Sequence, residues 1–212
     1  MIKTIAAAAI LSVLGASASA TTESITFQSR DVTAPRLTTT YTSNYRTAEL
    51  SYTDSTGVSF LAYCIEPDQS FAINALGAQT YSVGSFSGAQ ASLLEALYSS
   101  SYASATDVNA KAAFQLAVWE IVTESSSSLN VNGGSFTVDS STALASSIAT
   151  QANDYLSASA SYSGPSLYTL TKLTNADYQD LVVASPVPEP QTWALLLAGL
   201  GAVGLSARRR QR

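Results

Sequence analysis

Residues 46–66 read RTAELSYTDSTGVSFLAYCIE. Two runs rich in Thr, Tyr, Val and Leu flank the tetrapeptide DSTG at 54–57, where Asp and Gly favour a tight turn, so the segment predicts a β-hairpin. Side chains alternate along a strand, and Cys64 therefore shares a face with Phe60 and Ala62 near the end of the second strand. Cys64 is the only cysteine of the 212 residues.

Strand composition extends to both sides of this hairpin. SITFQSR at 24–30 and RLTTTYT at 36–42 precede it, and SLYTLTKL at 166–173 and YQDLVVAS at 178–185 come much later. Three helical patterns lie between. Residues 87–99 set Leu93, Leu94 and Leu97 on one side, and residues 107–124 follow a capping residue, Asp107 or Thr106. Residues 140–158 repeat Leu144, Ile148, Ala152 and Tyr155 at helical spacing. The segment SSSSLNVNGGS at 125–135 reads as a loop or hairpin, with turn chemistry at Asn132, Gly133 and Gly134. The expected fold is α+β, with β-sandwich or barrel-like strands and an inserted helical subdomain.

Both ends of the chain are organised differently from this body. Lys3 supplies a positive start, residues 5–16 are apolar, and Ala18, Ser19 and Ala20 form a small-residue cleavage site. That order predicts a signal peptide over residues 1–20 and an exported body over 21–185. The apolar run is too short for a membrane span, which needs about 20 residues. At the other end, residues 186–212 combine a Pro-rich break, the apolar stretch WALLLAGLGAVGLSA and the closing RRRQR. An Arg cluster stays on the cytoplasmic side, which leaves the body outside. The apolar stretch is short for a permanent span, so transient membrane association is expected.

The body bears five basic residues, Arg30, Arg36, Arg46, Lys111 and Lys172, against 14 acidic ones, a formal charge of 5 − 14 = −9. A nucleic-acid role is disfavoured, because phosphate binding needs a cationic face. The chain contains no histidine, which excludes Ser-His-Asp and Cys-His catalytic groups. One cysteine cannot build a thiolate cluster, and the commonest zinc ligand is missing, so no metal or cofactor is expected. No glycine-rich phosphate loop or calcium-loop pattern is found. A conventional enzyme is poorly supported.

The pattern at 107–124 holds one anomaly. Val108, Ala112, Gln115, Trp119 and Val122 form a helical stripe that is apolar except for Gln115, and Phe114, Val118 and Ile121 form a second apolar face beside it. A buried side-chain amide must find hydrogen-bond partners, or burial costs on the order of 1–3 kcal/mol. One explanation is a core Gln bonded to a strand backbone. The other joins it to the solitary thiol. A Cys thiolate can attack a Gln side-chain carbonyl, expel ammonia and leave an internal thioester, an activated acyl group whose sulfur departs far more easily than an amine anion. Sheltering such a bond from water would slow its hydrolysis.

The residues YCIE and FQLAVWEI resemble the paired motifs of thioester domains in bacterial surface adhesins. The matches are Tyr63, Cys64 and Ile65, then Gln115, Ala117, Val118 and Trp119. The resemblance implies a Cys64–Gln115 thioester and covalent attachment to amine-bearing surface or matrix molecules, such as a protein Lys. Val187, Pro188, Glu189 and Pro190, the apolar segment 193–205, and Arg208, Arg209 and Arg210 resemble the PEP-CTERM sorting signal of Gram-negative bacteria. That resemblance implies cutting by an exosortase-type membrane protease and delivery to the cell surface or extracellular matrix. The adhesin family is known mainly from Gram-positive bacteria, so the two resemblances place the chemistry in an unaccustomed setting.

On this reading Cys64 is the nucleophile during bond formation and the leaving group during capture, and Gln115 carries the electrophilic carbon. Tyr63, Ile65, Glu66 and Trp119 line the site. Trp119 is expected to shield the bond and to pack on Tyr63. Glu66 is placed to accept a proton from an incoming amine. The competing reading is a structural matrix or biofilm protein, associated with exopolysaccharide, in which Cys64 is an inert buried thiol.

Overall fold

The computed structural model describes residues 21–124 and 128–188. Residues 1–20, where a signal peptide is expected, and the residues from Glu189 onward, including Pro190, the apolar segment 193–205 and the Arg cluster, lie outside the described residues; Val187 and Pro188 lie within them and are exposed. Among the described residues no helix is long and apolar enough to cross a membrane.

The first half is built of strands. They are β1 (Thr22–Arg30), β2 (Arg36–Leu37), β3 (Tyr45–Arg46), β4 (Leu50–Asp54), β5 (Ser59–Cys64) and β6 (Gln79–Gly84). Helices α1 (Gly88–Ser101), α2 (Val108–Thr123) and α3 (Ala143–Ser161) follow, and β7 (Tyr168–Thr174) and β8 (Leu181–Pro186) return to the sheet. Six strands close into an antiparallel barrel in the order β1-β4-β5-β8-β7-β6, and β2 and β3 form a separate two-stranded ladder. The architecture is α+β, with the helices inserted between β6 and β7.

The hairpin at 54–57 forms for a local reason. Asp54 Oδ1 accepts hydrogen bonds from the Thr56 and Val58 N–H groups at 2.8 and 2.9 Å, and Gly57 takes a φ of 85°, which a side chain would resist. Alternation then sends Ile25, Leu50, Tyr52, Ala62, Tyr81, Leu173 and Leu181 into the barrel interior.

Two strand expectations need correction. The run at 36–42 forms a strand ladder only at Arg36 and Leu37; beyond them Thr39 makes an isolated antiparallel bridge to Val138, and the threonines also bond through their side chains. Thr38 Oγ1 accepts from the Asn44 N–H, Thr39 Oγ1 accepts from the Tyr41 and Thr42 N–H groups, and the Thr40 hydroxyl bonds that of Thr137. Conversely, QTYSVG at 79–84 forms β6, which no strand pattern had marked. It carries only two apolar side chains, of which Tyr81 is buried, so its alternation is too brief to stand out.

The helices follow their caps. Asp107 accepts from the Asn109 and Ala110 N–H groups, both at 2.9 Å, and opens α2; Thr142 accepts from Ala145 N–H at 3.1 Å and starts α3 at Ala143, a little later than the expected 140. α3 packs on both α1 and α2, and α2 packs on β5. As a result α2 is buried on nearly every side, from Ala112 to Ile121. This second core, which includes Leu94, Leu97, Phe114, Leu116, Val118, Trp119, Ile148 and Leu156, meets the barrel at the end of β5. Cys64 lies there.

Candidate functional site

The site begins with an unfinished β-ladder. β4 and β5 pair as Leu50↔Ala62, and this is the last pair of their ladder. If the register ran on, residue 48 would face Cys64. Instead the chain before Leu50 turns away, and the Thr47 N–H donates to the Pro35 carbonyl at 2.9 Å. On the other side of β5 the Ile65 N–H donates to the Asp180 carbonyl, also at 2.9 Å. Backbone groups of successive strand residues face opposite neighbours, so the N–H and C=O of Cys64 point to the side that β4 has left.

Gln115 fills that place. Its Oε1 accepts from the Cys64 N–H at 3.0 Å and its Nε2 donates to the Cys64 carbonyl at 2.7 Å. The side-chain amide thus imitates a strand residue and leaves no buried backbone group of Cys64 unpaired. Both residues are buried, with 1 % of their surface exposed. The cap at Asp107 fixes where α2 starts, and Gln115 lies two turns into it on the face that meets β5.

The thiol is sealed from water. Loss of hydration pushes its pKa up to about 12, against the opposing pull of the Glu66 N–H, which donates to Sγ at 3.4 Å, and of the Trp119 indole. The negative fields of Glu66 and Asp180 push the same way as burial. The Trp119 Nε1–H lies against the sulfur but reaches no acceptor with ordinary hydrogen-bond geometry; it is a fully buried donor left unpaired. Such a group carries a cost on the order of 1–3 kcal/mol.

The other expected site residues fall as follows. Tyr63 points to the opposite face of β5 from Cys64 and packs in the helical core, its ring 5.0 Å from Phe114 and 6.2 Å from Tyr102. Trp119 pairs instead with Tyr45 at 5.8 Å and Phe136 at 6.2 Å, which corrects the expectation that it stacks on Tyr63. The reason is the strand period: neighbours on β5 cannot both face the indole. Ile65 is buried beside the site and is anchored by its bond to Asp180. Glu66 is half-buried; its Oε2 accepts from the Asp180 N–H at 3.3 Å and it lines an open polar recess with Gln69, Asn175 and Asp180.

Some neighbours carry no motif. Tyr45, whose hydroxyl bonds Gln179 and whose ring covers Trp119, comes from the short strand β3. Asp180 immediately precedes β8, more than a hundred residues away from Glu66 along the chain. Glu49 meets Lys111 on α2, with Nζ and Oε2 2.9 Å apart. The only signal available beforehand was that Lys111 stands one helical turn before Gln115. Among the described residues no group of acidic, Cys or His side chains is placed to hold a metal ion.

Comparison with known proteins adds the following. Residues 186–210 match the PEP-CTERM protein-sorting motif, a signal for export and surface sorting in bacteria. No curated protein matches the sequence. Among solved structures the chain is similar to the N-terminal domain of the pilus tip adhesin Cpa of Streptococcus pyogenes (15% identity over 76% of this chain and 99% of that one, TM-score 0.49). It is also similar to the N-terminal thioester domain of fibronectin-binding protein SfbI from the same organism (20% identity, 77% and 98%, TM-score 0.44). A third is the N-terminal thioester domain of a surface protein from Clostridium perfringens (15% identity, 79% and 100%, TM-score 0.46).

Proposed function

We propose that Cys64 and Gln115 form an internal thioester and that the exported body, residues 21–185, uses it to attach covalently to amine-bearing molecules at the surface of a Gram-negative cell or in its matrix. The observation that carries this reading is the pair of hydrogen bonds that holds the Gln115 amide against Cys64. The chemistry balances within the chain. Cys64 Sγ attacks Gln115 Cδ, the C–S bond forms, the C–N bond breaks, and the nitrogen leaves as ammonia with the thiol proton. Throughout, the Cys64 N–H polarises the carbonyl that is attacked.

Capture reverses the roles. An amine attacks Cδ, the C–S bond breaks with its electron pair on sulfur, and the proton given up by the amine ends on the thiol. In this reading Glu66 takes that proton first. A thiol whose pKa is pushed up to about 12 is a reluctant leaving group, which lengthens the life of the bond in water. The Glu66 N–H and the idle Trp119 N–H are the donors that can receive the sulfur as charge develops on it. One molecule spends one bond and does not turn over. The sorting motif is cut by an exosortase-type protease while the apolar segment 193–205 holds the chain at the membrane.

The same two hydrogen bonds give both polar atoms of the amide a partner, which favours a second reading: Gln115 completes the sheet, Cys64 is inert, and the protein is a structural component of the matrix. The intact mass of the exported protein separates the two. Wild type is expected to be lighter by one ammonia and to take up one methylamine; Cys64→Ala and Gln115→Ala should do neither. An unshortened mass with a free thiol after unfolding overturns the thioester reading.

A further inference from the structure

A preformed acyl group has to survive the chain's own amines. The body has two lysines, Lys111 on α2 and Lys172 on β7. Lys111 is one turn before Gln115 on α2, where side chains four apart are neighbours. Lys172 is on β7 and pairs with Val182 of β8, two residues after Asp180, whose carbonyl holds Ile65. Each lysine is met by a carboxylate. Lys111 Nζ is 2.9 Å from Glu49 Oε2, and Lys172 Nζ is 3.7 Å from Asp180 Oδ2.

The Lys111 pair is the more firmly built. The Glu49 side chain is only 5% exposed, and its other oxygen accepts from the Tyr102 hydroxyl at 2.8 Å. Glu49 immediately precedes β4, next to residue 48, the position that Gln115 replaces opposite Cys64. The carboxylate therefore ties Lys111, four residues before Gln115, to the residue that precedes β4. The recess around the pair is lined by Arg30, Asp31, Leu61 and Val108, so a released lysine chain has room to turn.

We propose that Glu49 is a positioning residue that keeps Lys111 as a paired ammonium and so protects the Cys64–Gln115 thioester from capture by the chain's own lysine. The inference rests on the thioester reading. An ammonium held on a carboxylate has no lone pair with which to attack. Freed and deprotonated, Lys111 Nζ adds to Gln115 Cδ, the N–C bond forms and the C–S bond breaks. The sulfur keeps the electron pair and takes the proton that the amine gives up. The product is an internal amide between residues 111 and 115 and a free Cys64 thiol. The mass equals that of the thioester form, so mass alone cannot reveal the change.

The test uses the exported chain as wild type, Glu49→Gln, Lys111→Arg and the double variant. Glu49→Gln keeps an oxygen for the Tyr102 hydroxyl. It is expected to remain lighter by one ammonia, to show one alkylatable thiol on unfolding, to lose methylamine uptake, and to yield a cross-linked 111–115 peptide on digestion. The double variant, which has no amine at 111, should regain methylamine uptake. Wild type that never loses ammonia overturns the thioester reading and this inference with it. An intact wild-type thioester together with full methylamine uptake by Glu49→Gln overturns this inference alone, as does a double variant that fails to recover.

Discussion

The side-chain amide of Gln115 stands where residue 48 would lie if β4 ran two residues further, and it pairs with the Cys64 N–H and C=O at 3.0 and 2.7 Å. A helix thereby completes a barrel ladder through one side chain. The arrangement ties the stability of the sheet to the residue that carries the proposed acyl carbon.

Gln115→Ala should therefore be less stable than Cys64→Ala. Neither can form a thioester, but only the first leaves two buried backbone groups of Cys64 unpaired and opens a cavity. The difference is expected at about 2–4 kcal/mol. Urea unfolding of the two variants measures it, and equal midpoints would mean that the paired amide adds nothing to the fold.

The proposed thioester would join residues 51 apart in sequence and so restrict the unfolded chain. By the loop-closure argument used for disulfides, it should contribute about 4 kcal/mol. Wild type treated with methylamine is then expected to unfold at a clearly lower denaturant concentration than untreated wild type. Cys64→Ala should show no change on treatment.

Trp119→Phe keeps the ring packed against Tyr45 and Phe136 but removes the unpaired N–H beside the sulfur. Aminolysis by methylamine is expected to slow by roughly tenfold or more, in line with the loss of a donor that acts on developing charge. In a Gln115→Ala background, where the thiol is free, the same change should shift the pH profile of alkylation upward. Unaltered rates and profile would confine Trp119 to packing.

Glu120, fully buried on α2, has its pKa pushed up to about 7 by loss of hydration, in opposition to the hydrogen bond from the Asn130 N–H at 2.6 Å. A carboxyl that binds its proton more tightly in the folded state than in the unfolded one favours folding when protonated. Stability should thus fall as pH rises from about 4.5 to about 7 at this residue. Glu120→Gln keeps an acceptor for Asn130 and should flatten the slope across that window, as read from thermal unfolding at several pH values.

Much of this molecule could be read in advance because the signals were local. DSTG at 54–57 forms its turn through Asp54 and Gly57, Asp107 caps α2, and a period of 3.6 marks the helices. What escaped was set by partners distant in sequence. The threonines at 38–40 look like a strand but bond their own loop and Thr137, and β6 exists because β1 and β7 flank it.

The candidate site divides along the same line. Sequence alone picked out Cys64 as the lone thiol and Gln115 as the one polar residue on an apolar stripe, because burial of either is costly without a partner. Only the tertiary structure decided that each meets the other, that Tyr63 faces away from Trp119, and that Glu49 and Asp180 hold the two lysines. Hydrophobic periodicity records which face of an element is buried; it holds no record of what that face is buried against, since barrel closure and helix docking set those contacts together.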